Sequence, residues 1–269
     1  MEKKRILFIS QEITPYLPEN HISKIGRELP QGIQESGKEI RVFMPKFGVI
    51  NERRNQLHEV IRLSGMNLII NDTDHPLIIK VASIQAAKMQ VYFIDNEEYF
   101  QRKAILSDAE GVEFADNDER AVFFARGVIE TIKKLRWAPD VIHCQGWLSS
   151  LIPLYIKKSY KNDPLFQDTK VISSIYNNEF KTPLNSTFKT KALHKDIDDS
   201  DMDLLSEPTF VNIQKHAVQY SDAVIYGCDT INPSIKSFVE EVGIPTLEYQ
   251  SSEDYIKAYS DFYDTILES

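Results

Sequence analysis

Arg5-Ile-Leu-Phe-Ile-Ser10 and Glu39-Ile-Arg-Val-Phe-Met-Pro45 decide the fold of this chain. Each is a short apolar run rich in β-branched and aromatic residues, the pattern of a strand covered on both faces in a parallel sheet. Between them, residues 20 to 36 carry apolar groups at helical spacing, and Gly37 follows as a left-handed stop. Strand, helix and strand in this order make a βαβ unit.

The pattern changes further on. Residues 57 to 94 hold several strand-like stretches, including 76 to 84 and 89 to 94, with turns between them and no long helix, so an antiparallel or mixed insertion is expected. From 118 to 135, Val122, Phe123, Ala125, Val128, Ile129, Ile132 and Leu135 form a broad helical stripe. The alternation then resumes, with strand 140 to 144, helix 147 to 158 and strand 170 to 175. A polar loop from 181 to 206 leads to helix 209 to 220, strand 222 to 226 and helix 230 to 241. Repeated β and α elements predict an α/β, Rossmann-like, doubly wound and mostly parallel sheet with a β-rich insertion.

Charge narrows the partners. With 40 acidic against 31 basic residues, the formal net charge of −9 repels polyphosphates, which argues against nucleic acid and anionic membrane; a neutral polysaccharide carries no such penalty. No apolar run approaches a membrane span, and the basic start is followed by Gln11 and Glu12 rather than a long apolar leader. Cys144 and Cys228 are far apart and form no C-x-x-C pair. A cytoplasmic setting fits, and neither a metal nor a cofactor is expected.

A colinear series of stretches points to a family. It runs through Glu12-Ile-Thr-Pro15, Leu29-Pro30, Gly37, Arg41-Val-Phe-Met-Pro-Lys-Phe-Gly48 and Val91-Tyr-Phe-Ile-Asp-Asn-Glu-Glu-Tyr-Phe100. Asp116-Asn-Asp-Glu-Arg120, Phe123-Phe-Ala-Arg126, Trp137-Ala-Pro-Asp-Val-Ile-His143, Trp147 and Pro153-Leu-Tyr155 continue it, and Asn212-Ile-Gln-Lys215 and Tyr220-Ser-Asp-Ala223 end it. Over roughly residues 4 to 242 the chain resembles the starch synthase catalytic domain of the bacterial glycogen and starch synthases, family 5 glycosyltransferases. The resemblance implies the N-terminal domain of a GT-B glycosyltransferase. In that family two Rossmann-like domains face each other across a cleft, and glucose passes from ADP-glucose to a glucan end.

The departures from the family pattern bear on chemistry. The family's first loop reads K-T-G-G-L, a lysine and glycines that meet the nucleotide phosphates. Here the aligned residues are Pro18-Glu-Asn-His-Ile22, so the cation is gone, Glu19 brings a carboxylate, and Asn20 and His21 carry side chains where close backbone approach is needed. The family's H-D-W appears as Gln145-Gly-Trp147, and its T-I-H-N as Ser174-Ile-Tyr-Asn177, with Tyr176 in place of the histidine that meets the transferred sugar. The second domain's phosphate-binding residues and its E-P-C-G-L loop would fall beyond residue 245. Transfer depends on preorganised cations and amide donors around the leaving diphosphate. The altered loop therefore predicts no autonomous transfer.

The substrate-binding candidates are Trp147, Asn177, Tyr176, Gln145, Asp116 and Asn117; no catalytic residue is assigned. Each has a plainer reading beside the functional one. Trp147 at a strand-to-helix junction also serves packing, and Asn and Asp also serve as caps and turn formers. His143 and Cys144 end a buried strand and read as a core pair. Asp196, Asp198, Ser200 and Glu207 match positions of a calcium loop, but Asp201 stands where that loop turns on glycine, so a solvated segment is the expectation.

Tyr255, Tyr259, Phe262, Tyr263 and Ile266 recur at helical intervals. Residues 252 to 267 therefore read as a closing helix on the domain formed by 1 to 245, so that 246 to 269 completes a reduced protein. The functional expectation is a non-catalytic relative that binds α-glucan or a glycogen-metabolism protein. The alternative is an active ADP-glucose:glucan α-1,4-glucosyltransferase completed by a separate C-terminal half. The sequence leaves the oligomeric state open.

Overall fold

A computed structural model describes residues 3 to 251 and 255 to 269. In chain order, β1 (Arg5–Ser10), α1 (His21–Glu35) and β2 (Glu39–Pro45) form the opening unit. The insertion follows as β3 (His58–Glu59), β4 (Met66–Ile70), β5 (Thr73–Ile84) and β6 (Met89–Asp95). Then come α2 (Glu97–Phe100), α3 (Asn117–Leu135), β7 (Val141–Gln145), α4 (Ile152–Lys157), β8 (Lys170–Ile175) and α5 (Phe188–Ala192). The chain continues through α6 (Phe210–Gln219), β9 (Ala223–Tyr226), α7 (Pro233–Val242), β10 (Thr246–Leu247) and α8 (Tyr255–Glu268).

The strands order as β10-β9-β8-β7-β1-β2-β6-β5-β3, with β4 hydrogen-bonded to β5 off this path. Pairing is parallel from β10 through β6 and antiparallel where β5 meets β6, β4 and β3. β1 and β7 show the buried pattern that apolar runs adopt under two helical layers. The sheet is thus the Rossmann-like, mostly parallel one expected, carrying an antiparallel extension. Chain order reverses between β1, which leads to β2 on one side, and β7 on the other; such a reversal opens a crevice beyond the carboxyl ends of the strands.

Two elements hold that crevice in place. Asn20 caps α1 by accepting from the Ser23 backbone N–H at 2.8 Å, and the Ser23 hydroxyl accepts from the Asn20 N–H at 2.9 Å. Ile22, Ile25, Leu29 and Ile33 then bury one face of the helix. A Cβ added at Gly26 would lie 2.3 Å from the carbonyl oxygen of Glu12, so glycine is what lets α1 rest on the loop leaving β1. α8 lies beside α1, with Lys38 bonded to Asp264 at 2.9 Å and Tyr255 donating to Glu28 at 3.2 Å.

Three expectations need correction. The helix expected over 147 to 158 is a 3-10 turn, Trp147–Ser149, followed by the short α4, because Pro153 lacks the N–H that would bond to Ser149 and its ring crowds that carbonyl. The loop expected over 181 to 206 contains α5 and a 3-10 segment, Asp199–Ser206, capped by reciprocal bonds between Asp198 and Asp201. The edge strand β10 had no counterpart in the sequence pattern; at two residues it is too short to show a period. Of the closing helix, residues 252 to 254 lie outside the described residues, and the rest is α8.

Candidate functional site

Four strand ends converge on the crevice. Ser10 and Gln145 are register partners at the ends of β1 and β7, and the Ser10 hydroxyl donates to the Gln145 carbonyl Oε1 at 2.6 Å. Gln145 Nε2 in turn reaches the hydroxyl of Tyr176, just past β8, at 3.4 Å. Tyr176 is buried and lies against Gly227, just past β9; a Cβ there would come within 2.3 Å of its ring. Burial raises the Tyr176 hydroxyl well above its ordinary pKa, so it stays protonated.

His21 closes the crevice from the side of α1. Its Nε2 sits 2.6 Å from the Gly227 carbonyl oxygen, and its ring stands edge-on to Tyr176 at 6.0 Å between centroids. The first turn of α1, which the family resemblance assigns to nucleotide phosphates, is therefore occupied by an imidazole. Asn20 is committed as well, capping the helix and donating to Glu12 Oε2 at 2.5 Å.

What remains open is a cavity of about 470 Å³. Tyr176, Asn177, Asn178, His21 and Tyr249 form its walls, and Glu12 and Asp229 are the charged groups on it. Among the described residues lining it there is neither lysine nor arginine. Lys24 is the cation nearby in sequence; it lines a smaller cavity of about 130 Å³ between α1 and α8, with its ammonium 3.9 Å from Glu28. A carboxylate-walled, cation-free cavity disfavours an anion and suits a ligand rich in hydroxyl donors.

The candidate residues separate into three groups. Tyr176 and Asn177 line this cavity, whereas Gln145 lies behind it, wholly buried. Trp147 and Asn117 line a neighbouring cavity of about 230 Å³ that shares Glu12 and Asn178 with the first. Trp147 is only 2% exposed and packs edge-on against Phe180 at 5.0 Å. Asn117 is pinned, accepting from Arg120 at 2.7 Å and donating to the Leu106 carbonyl at 2.8 Å. Asp116 holds Arg102 through two bonds of 2.9 and 2.7 Å and is absent from either cavity wall.

The sequence reading missed Glu12, Asn178, Cys228, Asp229 and Tyr249. The first four follow the ends of β1, β8 and β9, where ligands of such sheets bind, and that rule had the power to find them. Tyr249 gave no local signal. His143 is held at both ring nitrogens, 2.6 Å from Ser174 Oγ and 2.6 Å from the Tyr263 hydroxyl, and burial lowers its pKa to about 3. With Cys144 it is a satisfied core pair. The acidic segment does not gather its carboxylates: Asp201 binds Lys158 and Asp199 binds Lys189. Among the described residues no group of three or more His, Cys, Asp or Glu side chains could hold a metal ion. No helix of the described residues is long and apolar enough to cross a membrane.

This sheet, with its crevice at the strand reversal, is Rossmann-like and similar to the sheet of a GT-B starch synthase catalytic domain. It superposes on the catalytic domain of Starch Synthase IV from Arabidopsis thaliana, a structure bound to ADP and acarbose, with a TM-score of 0.75 at 14% identity, over 93% of this chain and 52% of that one. The starch synthase catalytic domain family matches residues 5–239, and the chain belongs to that family. Glycogen synthase from Chlorobaculum parvum is 30% identical over 265 residues, 98% of this chain and 52% of the relative. Glycogen synthase from Chlorobaculum tepidum is 35% identical over 222 residues, 82% of this chain and 45% of the relative. The chain spans about half the length of these relatives.

Proposed function

We propose that this chain is a non-catalytic member of the starch synthase family that binds α-glucan, or a protein of glycogen metabolism, through the crevice at the carboxyl ends of its strands. The observation that carries the reading is the bond from His21 to Gly227 beside a cavity whose charged lining residues are Glu12 and Asp229. A departing diphosphate needs cations and bare amide donors, and the loss of a single preorganised donor costs about 3 to 4 kcal/mol of transition-state stabilisation. Here the loop that would supply both ends in a proline, a carboxylate and an imidazole.

In this reading Tyr176 and Asn177 contact the ligand, and Gln145 fixes Tyr176 from behind. Trp147 and Asn117 shape the adjoining cavity, and Asp116 orders its rim through Arg102. Residues 1 to 245 form the domain and 246 to 269 close it, in the cytoplasm, with no cofactor. The test is incorporation of labelled glucose from ADP-glucose into glycogen by the purified protein, run beside electrophoresis in gels with and without glycogen. Background incorporation with retarded mobility is expected; incorporation at a rate typical of the family would overturn the reading.

A second reading is a synthase completed by a separately encoded C-terminal half. Purification from the native host separates the two. A co-purifying partner carrying an E-P-C-G-L loop, with transfer activity in the complex, favours the split enzyme.

A further inference from the structure

We propose that the opposite edge of the sheet carries a second site, a donor-lined pocket that binds the phosphate group of a small metabolite. Lys3 ahead of β1, Lys38 and Arg41 at the entry of β2 and Lys88 directly before β6 converge on a cavity of about 460 Å³. These three strands are parallel neighbours, so their amino ends share one edge, across the sheet's full strand length from the crevice. The volume falls within the range of about 300 to 1,000 Å³ usual for small-ligand pockets.

The polar groups of the lining are mostly donors, with the side chain of Ile40 and the aliphatic stems of the lysines beside them. Beside the four cations stand the carboxamides of Gln34 and Gln90, and Glu39 is the one carboxylate on the wall among the described residues. Glu39 is divided among several donors: Trp137 Nε1 at 2.7 Å, Arg5 Nε at 3.6 Å and Arg41 Nη2 at 3.7 Å. The Arg41 guanidinium lies over the Trp137 ring at 5.4 Å, and its Nε is shielded and makes no hydrogen bond. Its Nη1 donates to the Ile40 carbonyl at 3.2 Å; a guanidinium with its Nε unpaired and ammonium groups beside it is complementary to an anion with several acceptor oxygens, of which phosphate is the usual one.

Lys88 adds an independent observation. Its φ of 48° lies in the left-handed region, where a non-glycine residue costs about 1 to 2 kcal/mol. Glycine would relieve that strain, and the lysine side chain that stands there is exposed at the pocket. Cations also gather near the carboxyl ends of helices to offset the helix dipole. That accounts for Lys38, just past α1 and bonded to Ser260 and Asp264, but not for Arg41 within β2 or for Lys88, which follows a three-residue 3-10 turn.

The overall charge of −9 does not forbid an anion here. At physiological ionic strength fields are screened beyond about 8 Å, so the local cations govern the last step of binding.

Calorimetric titration at a fixed ionic strength of about 0.1 M, with inorganic phosphate, pyrophosphate and glucose 1-phosphate, tests the site. Saturable binding of at least one is expected. Lys88→Gly and Arg41→Gln should each weaken it about tenfold or more, a change of about 1.4 kcal/mol. Lys88→Gly should keep or raise the melting temperature, because it removes the strain with the charge. His21→Ala, in the crevice, should leave the affinity unchanged. The proposal is overturned if none of the three anions gives saturable heat, if Lys88→Gly binds as tightly as the parent, or if His21→Ala abolishes the binding.

Discussion

The Nε2 of His21 lies 2.6 Å from the carbonyl oxygen of Gly227, which ties the first turn of α1 to the chain leaving β9. The imidazole closes the crevice from the side of α1, and Tyr176 fills the space beside Gly227. The cavity beside them carries the carboxylates of Glu12 and Asp229 and, among its described lining residues, neither lysine nor arginine.

Recharging the loop should therefore restore some affinity for a nucleotide. The double variant Pro18→Lys/His21→Gly is expected to bind ADP about tenfold or more tightly than the parent in a calorimetric titration. His21→Gly alone should gain little affinity and lose about 1 kcal/mol of stability with its hydrogen bond. No gain in the double variant would mean that charge is not what excludes the nucleotide.

The two glycines on α1 should respond differently to a methyl group. At Gly26 an added Cβ meets the Glu12 carbonyl oxygen at 2.3 Å, which is backbone and cannot swing aside. Gly26→Ala should cost about 1 to 3 kcal/mol. At Gly32 the nearest atoms are Ile256 Cγ2 at 2.5 Å and Cδ1 at 2.7 Å, side chain rather than backbone, so the cost of turning that residue is partly offset by a gain in helix propensity of up to about 1 kcal/mol. Urea denaturation of both variants should place Gly26→Ala well below Gly32→Ala.

Stability should fall in mild acid. Burial lowers the pKa of His143 to about 3 and that of His216 to about 4, so the unfolded chain, whose histidines titrate near 6.5, takes up protons first as the pH drops. The stabilisation is complete above about pH 6.5. Below it each of the two histidines should cost about 1.4 kcal/mol per pH unit until its folded value is reached. His194, less deeply placed, is also held down, to about 4, by burial and then Arg126, and adds a smaller share. Urea midpoints at neutral pH and in mild acid should reveal the slope, and His143→Gln should reduce it by one proton.

Trp147 and Asn177 should separate packing from recognition. Trp147→Ala removes a large side chain that is 2% exposed and should cost about 3 to 5 kcal/mol. Asn177 is exposed on the cavity wall, so Asn177→Ala should change stability by less than about 0.5 kcal/mol while reducing retardation in a glycogen gel. Equal retardation of Asn177→Ala and the parent would remove that residue from the binding surface.

Most of the fold was legible because its signals are local. The apolar runs of β1 and β2, the stripe of α3 and the stop at Gly37 each follow from periodicity and backbone freedom within a few residues. The break before α4 was also written locally, in Pro153, but the apolar pattern on both sides hid it. α5 and the 3-10 segment after it escaped because polar residues ordered by capping and ion pairs leave no apolar period. Among the candidate site residues, Tyr176 and Asn177 reached the crevice, while Gln145 lies buried behind Tyr176 and Asp116 pairs with Arg102 away from both cavity walls.

By itself the sequence determined the family and the parallel sheet, since each depends on residue types in a fixed order. Only the tertiary structure decided that His21 meets Gly227, that Tyr249 joins the crevice wall, and that Lys88 and Arg41 gather at the opposite edge. Those relationships join residues far apart along the chain. They are set by strand order and helix packing, which no local pattern encodes.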